Sequence, residues 1–180
     1  GSFFFFFSPG EGIPAYETPP HTVELLSYRI GKFFFSNRHY AAFLKQVKTQ
    51  EDPKRSGWFL REPPQAKLDH PVVGVSWHDA CAYCAWLSEK TGRVYRLPSE
   101  AEWEKAARGS DSRRYPWGEA WAEGCCNVGG NDTTPVDAYP AGASPYGCLD
   151  LLGNVQEWTC TLWGSQPDAP AFGYPYDPHD

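Results

Sequence analysis

What the sequence has little of narrows its function first. It has no concentrated basic face: 16 Lys and Arg stand against 22 Asp and Glu, a net charge of −6, and the cations are scattered. A nucleic-acid groove needs clustered cations to neutralise phosphates, so nucleic acid is not the expected partner. No run approaches the roughly 18 apolar residues of a membrane span, and no secretory leader is visible, so no membrane partner is expected. No internal repeat stands out. No histidine is spaced with Cys or a carboxylate as metal ligands are. His39 and His78 fall on predicted helices and His21, His70 and His179 in loops, where packing or solvated roles are expected.

Six cysteines are present, at 81, 84, 125, 126, 148 and 160. An even count permits disulfides without requiring them, and 180 residues can build a core without them. The compartment therefore stays open, with the cytoplasm slightly favoured.

What is there points to one loop-rich domain. Hydrophobic residues make up 41% of the chain, which suits a globular protein. Pro and Gly number 17 each and predict many turns between short regular elements. Eight Trp and ten Tyr suit a fold held by aromatic anchors rather than long Leu-rich helices. Gly1-Ser2 looks like the scar of a cleaved tag, and Phe3 to Phe7 is a run with no amphipathic period. Residues 1–19 are set apart as an atypical Phe-rich leader. That run and Phe33–Phe35 read as an engineered or uncertain segment, with an apolar docking strip as the alternative.

Residues 20–32 alternate in part and predict one or two short strands. After Ser36-Asn37, the residues Tyr40, Phe43, Leu44 and Val47 mark one face of a helix over about 37–48. Residues 49–70 read as a surface loop. Ser76 with Asp79 forms a capping box, and Ala80, Tyr83, Cys84 and Leu87 continue it as a helix that ends near Gly92. Ser99 with Glu102 forms a second box, opening a helix with Trp103, Ala106 and Ala107 that stops at Gly109. Beyond Ser110 turn residues dominate, with a short strand expected around Val155 to Thr161. Arg96 is expected to pair with Glu100 or Glu104, buried or on a solvated surface.

Cys81-Ala82-Tyr83-Cys84 is a C-x-x-C, but a metal half-site needs a second pair, and Cys125-Cys126 has the wrong spacing. Both thiols lie on one side of the helix and read as small core residues, with a metal or redox role as the alternative. The stretch Asp150 to Glu157 sets two carboxylates around a turn, an oxygen set that suits Ca2+.

Several ordered blocks resemble the formylglycine-generating-enzyme, or sulfatase-modifying-factor, family. They are Val75-Ser76-Trp77 with Asp79-Ala80 and Tyr83-Cys84, then Tyr95-Arg96-Leu97-Pro98-Ser99-Glu100-Ala101-Glu102-Trp103-Glu104, Tyr115-Pro116-Trp117-Gly118, Asn127-Val128 and Gly153-Asn154-Val155-Gln156-Glu157-Trp158-Thr159. The likeness covers about residues 20–165. It implies an irregular α+β domain of C-type-lectin-like type spanning 1–180, with few helices, short strands and long loops. It also implies a calcium site with the side chains of Asp150 and Glu157 and the backbone oxygens of Gly153 and Val155. Asn127 and Val128 match part of a second such site, where Asn131 and Asp132 could serve as further ligands and a simple turn is the other reading.

Family members continue into a further segment, and in the catalytic ones the copper-binding cysteine pair lies there. None of the six cysteines matches that pair, so no catalytic residue is carried over. The expectation is a ligand- or protein-binding scaffold, as in the variable proteins of diversity-generating retroelements. Its partner would be an unknown protein or small molecule. The alternative is a copper-dependent oxidase converting a sulfatase cysteine to formylglycine. A related iron-dependent sulfoxide synthase would bring a helical domain with a His-rich site. Gln156 stands where catalytic members tend to carry Trp, which weakens the oxidase reading slightly.

Overall fold

The structure, a computed structural model, describes residues 2–5, 21–54, 56–111 and 113–164. The expectations for Phe6, Phe7 and His179 lie outside these residues. Among the described residues the regular elements are few and short. They are β1 (Ser2–Phe5), β2 (His21–Glu24), α1 (Asn37–Gln46), α2 (Trp77–Thr91) and α3 (Glu100–Arg108). β1 and β2 form an antiparallel pair with Phe3 opposite Val23. The strand expected in 20–32 is thus confined to four residues, and residues 25–31 take no regular secondary structure. No strand forms around Val155 to Thr161 either: among the described residues its one main-chain to main-chain bond with another segment is from the Cys160 amide to the Pro98 carbonyl, and a single bond makes no ladder. A lone extended segment has no ladder to hold it.

The helix limits follow the local chemistry. Ser76 Oγ accepts the Asp79 amide, and the Asp79 carboxylate accepts the Ser76 amide at 2.8 Å. Gly92 closes α2 in the left-handed conformation. Ser99 and Glu102 repeat the box at α3, which Gly109 ends. Each box satisfies two amides that a helix start leaves orphaned, worth about 1 kcal/mol apiece.

The C-terminal end of α1 is closed differently. Arg61, held at φ +66°, donates its guanidinium hydrogens to the carbonyls of Leu44, Val47, Lys48 and Gln50. One side chain thereby satisfies orphan acceptors that would otherwise need water.

Two apolar clusters hold the chain. The first joins α1 to α2 through Tyr40, Phe43, Leu44 and Tyr83, with Trp86 packed beside them. Phe43 and Leu44 are fully buried, and each such side chain stabilises by about 1.5–3 kcal/mol. The second joins Ala106 and Ala107 of α3 to Cys148 and Leu151, with Trp103 at its edge.

Between the clusters, indole N–H groups reach main-chain oxygens far away in sequence. Trp77 donates to Thr159 and Trp158 to Val75, both at 3.0 Å. No helix among the described residues is long and apolar enough to cross a membrane.

Candidate functional site

A groove of about 920 Å3 runs between the two clusters. Its walls are three runs without regular structure, around Tyr28–Gly31, Val94–Pro98 and Val155–Trp158, closed by the Phe33–Phe35 stretch and by Tyr83 and Cys84 of α2. The lining is mostly apolar. Val94 is 92% exposed, and Phe33, Phe35, Tyr95 and Trp158 are each more than a third exposed. Among the described residues no hydrogen bond is made by the main chain of Tyr28–Ile30, Val94, Arg96 or Gln156–Trp158. An extended run with open N–H and C=O groups is a template for another strand. The Tyr40 hydroxyl, in the groove's lining residues, is buried with no partner among the described residues, and burial raises its pKa, with Asp79 adding to the effect.

One ion pair organises the wall. Arg96 binds Glu102 through two bonds of 2.6 Å. This corrects the expected partners Glu100 and Glu104: the Glu102 carboxylate is already turned back toward Ser99 by the capping box, which puts it in front of Arg96. Glu104 instead pairs with Arg108, one helical turn on. The Arg96 hydrogen bonds hold the Glu102 pKa below the usual carboxylate range against its burial. Tyr28 then donates its hydroxyl to the Glu102 carbonyl at 2.7 Å, tying the first wall to α3 at the residue that holds Arg96.

The Asp150–Glu157 turn lies at one side of the groove, to which Leu149, Leu151, Val155 and Glu157 contribute. Asp150 and Asn154 both have positive φ, at 59° and 62°, and Gly153 lies at 81°. Asp150 is buried, and its Oδ2 accepts from the Asn154 amide group at 3.1 Å. Its Oδ1 is buried with no partner among the described residues. Burial raises the Asp150 pKa, and Asp137 adds to the rise. Glu157 accepts the Trp103 indole N–H at 2.5 Å. Its surface faces the groove and so counts as exposed, yet protein crowds its carboxyl; burial pushes its pKa up to about 7, with Asp150 contributing. Two carboxyls pushed up mainly by burial, Asp150 also raising Glu157, and one of them with an oxygen left without a partner among the described residues, fit a cation held by oxygen ligands. The Gly153 carbonyl accepts the Val155 amide at 2.8 Å, so of the two expected backbone oxygens that of Val155 is the less engaged.

The Asn127 loop abuts this turn. Asn154 donates its amide to the Asn127 carbonyl at 2.9 Å, and a Cβ on Gly153 would sit 2.4 Å from that oxygen. The structure therefore brings Asn127 and Gly153 together, through Asn154, which the sequence reading did not single out. Val128 is half exposed. Asp132 pairs with Lys67 at 2.6 Å and caps Thr133, so its carboxylate is engaged in closing a turn. Asn131, Asp132 and Asn154 line a small polar pocket beside Asn127. Asp137 was also missed; its effect on Asp150 depends on a fold-level approach that no local pattern signals. No group of three or more His, Cys, Asp or Glu side chains gathers among the described residues, so a cation here would depend on carbonyl oxygens as well.

Residues 4–175 match the sequence profile of the sulfatase-modifying factor enzyme 1-like domain. The formylglycine-generating enzyme of Streptomyces coelicolor is 35% identical over 226 aligned positions, covering 94% of this chain and 68% of that protein. The serine/threonine-protein kinase Pkn1 of Chlamydia trachomatis is 37% identical across 86% of this chain, which spans only 27% of the kinase. Among solved structures, PvdO from Pseudomonas aeruginosa superposes with a TM-score of 0.76 at 27% identity, over 95% of this chain and 73% of that one. The chain thus spans about a quarter of the kinase and some two thirds of the enzyme. The few short helices, the long loops and the PvdO likeness bear out the irregular α+β fold expected from the sequence. By its profile, its relatives and its fold, the chain belongs to the sulfatase-modifying factor enzyme 1-like, or formylglycine-generating-enzyme-like, family.

Proposed function

We propose that this chain is a binding scaffold: its frame seats a further extended polypeptide segment in the groove, and that segment presents the surface that meets a protein or small-molecule ligand. The observation that carries the reading is the groove itself, in whose walls the main-chain groups of Tyr28–Ile30, Val94, Arg96 and Gln156–Trp158 have no partner among the described residues. Such edges are satisfied by strand addition, while the apolar lining supplies the burial. The relatives' additional length supports it, since the chain spans 68% of the Streptomyces coelicolor enzyme and 73% of PvdO. The use is the one expected of variable proteins of diversity-generating retroelements.

A calcium ion suits the oxygen set at the side of the groove. Asp150 and Glu157 would hold it with the carbonyls of Val155 and Gly153, and Asn127 and Val128 mark a second, less complete set. When bound, calcium supplies positive charge that offsets buried carboxylates. The chain's own part is to bury Asp150, aim Glu157 by its bond to Trp103, and fix the turn through Asn154.

The test is amide hydrogen exchange on the full-length gene product. Protection of the Val94, Arg96 and Gln156–Trp158 amides by about 100-fold or more is expected. Exchange at the intrinsic rate would remove the reading.

The second reading, a copper-dependent oxidase acting on a sulfatase cysteine, is favoured by the 35% identity to a protein named formylglycine-generating enzyme. Copper there would need a thiolate pair from the same further segment, as soft ligands suit Cu(I). Conversion of a Cys-x-Pro-x-Arg peptide by the copper-loaded full-length product would select it over the first.

A further inference from the structure

Cys81 on α2 and Cys160 beyond Thr159 both stand outside the groove lining and outside the Asp150–Glu157 turn. α2 presents Trp77 and Cys81 on one face, because residues four apart on a helix are stacked neighbours. The Trp77 indole reaches across to the Thr159 carbonyl at 3.0 Å, and Cys160 is the next residue. The segment is fixed on either side of that bond. Trp158 donates to the Val75 carbonyl at 3.0 Å, Cys160 donates its amide to the Pro98 carbonyl at 2.9 Å, and the Thr161 hydroxyl accepts the Glu100 amide at 2.8 Å. Four consecutive residues are thereby held against the starts of α2 and α3. Cys160 is exposed and Cys81 half-buried, so a small reagent can reach both. The thiols lie within electrostatic reach of each other: burial raises the Cys81 pKa, and Cys160 raises it further. The Arg96 guanidinium also lies within electrostatic reach of Cys160.

We propose that Cys81 and Cys160 are a redox pair, whose disulfide, made by exchange with a small-molecule disulfide, locks the Trp158–Thr161 segment to α2. The Cys160 thiolate attacks one sulfur of the small disulfide; that S–S bond breaks and one small thiolate leaves and takes up a proton. Cys81, giving its proton to solvent, then attacks the Cys160 sulfur of the mixed disulfide and expels the second small thiol. The pair loses two electrons and two protons, and one small disulfide becomes two thiols. Closure needs a Cα separation below about 7 Å. Cys84 does not compete: it is buried beside Tyr83 in the groove wall, and a link to Cys81 would have to distort the middle of α2.

The experiment treats the purified protein with glutathione disulfide, then digests it without reductant and maps the cysteine peptides. A Cys81–Cys160 link is expected, leaving four of the six thiols free, reversed by dithiothreitol. C84S keeps the link, and C81S and C160S each abolish it. Because a serine at position 81 could disturb α2, amide exchange of the wild-type chain is followed as well. Oxidation should slow exchange at Trp158–Thr161 by about tenfold or more. Six free thiols after treatment, a Cys81–Cys84 link, a link between chains, or unchanged exchange in the oxidised form would each overturn the proposal.

Discussion

Trp103 of α3 donates its indole N–H to the carboxylate of Glu157, 54 residues along the chain. The bond fastens the second apolar cluster to the turn that carries Asp150, and it favours the ionised form of a carboxyl that burial would otherwise neutralise. Trp103→Phe keeps most of the ring volume and deletes the donor. The expected cost is about 1 kcal/mol in urea unfolding, since the carboxylate left without its donor lines the groove, where water can reach it. The same variant should raise the Glu157 pKa, read by carboxyl-labelled NMR. An unshifted Glu157 resonance would mean that the indole bond does not form.

Calcium gives the second prediction. The fluorescence melting temperature of the full-length product should rise with millimolar Ca2+ and not with Mg2+, which demands a tighter octahedral shell. Asp150→Asn removes the charge while keeping the shape, and should abolish the rise. A melting curve indifferent to Ca2+ in the wild-type protein would end the calcium reading.

Acid sensitivity follows from Arg96 and Glu102. The Glu102 pKa is lowered in the folded state, first by its hydrogen bonds from Arg96. The unfolded chain therefore binds the proton more readily. The stabilisation is fully present above the ordinary glutamate pKa of about 4.3 and is lost as pH falls through the lower folded value. Glu102→Gln should flatten the stability curve on this acid limb and leave its shape above pH 6 unchanged. An acid limb of the same steepness in the variant would assign the effect to other groups.

Arg61 makes the fourth case. Replacing it with Ala leaves four carbonyls at the end of α1 without their donor. The loss should be about 2 kcal/mol, with Arg61→Lys recovering only a minor part, because an ammonium cannot span the same set of oxygens. Chemical denaturation of the three proteins measures it, and a neutral Arg61→Ala would show that water caps the helix equally well.

The parts of this fold legible in the sequence are those set by neighbours a few residues apart. The boxes at Ser76–Asp79 and Ser99–Glu102, and the stops at Gly92 and Gly109, need only local geometry, and all four stand where the spacing put them. The Arg96 partner was misassigned because the capping box redirects Glu102, a competition between two uses of one carboxylate. The expected strand near Val155 is absent among the described residues because strand formation depends on a neighbour that the segment's own pattern does not contain. At the candidate cation site, Asp150 and Glu157 were found from their spacing around a turn. Asn154 and Asp137 were not, since Asn154 acts through Asn127 and Thr134, far away in sequence, and Asp137 through its charge on Asp150.

The long-range bonds of Trp77, Trp158, Tyr28 and Arg61 all end on main-chain oxygens. A carbonyl is the same whatever side chain its residue bears. The receiving positions Thr159 and Val75 are therefore free to change in evolution without loosening these ties, while the donors are not; Leu44 and Glu102 are held by their own side chains as well. Lineages carrying this architecture can diversify their loops at low risk, so long as a handful of indoles, phenols and guanidiniums stay put.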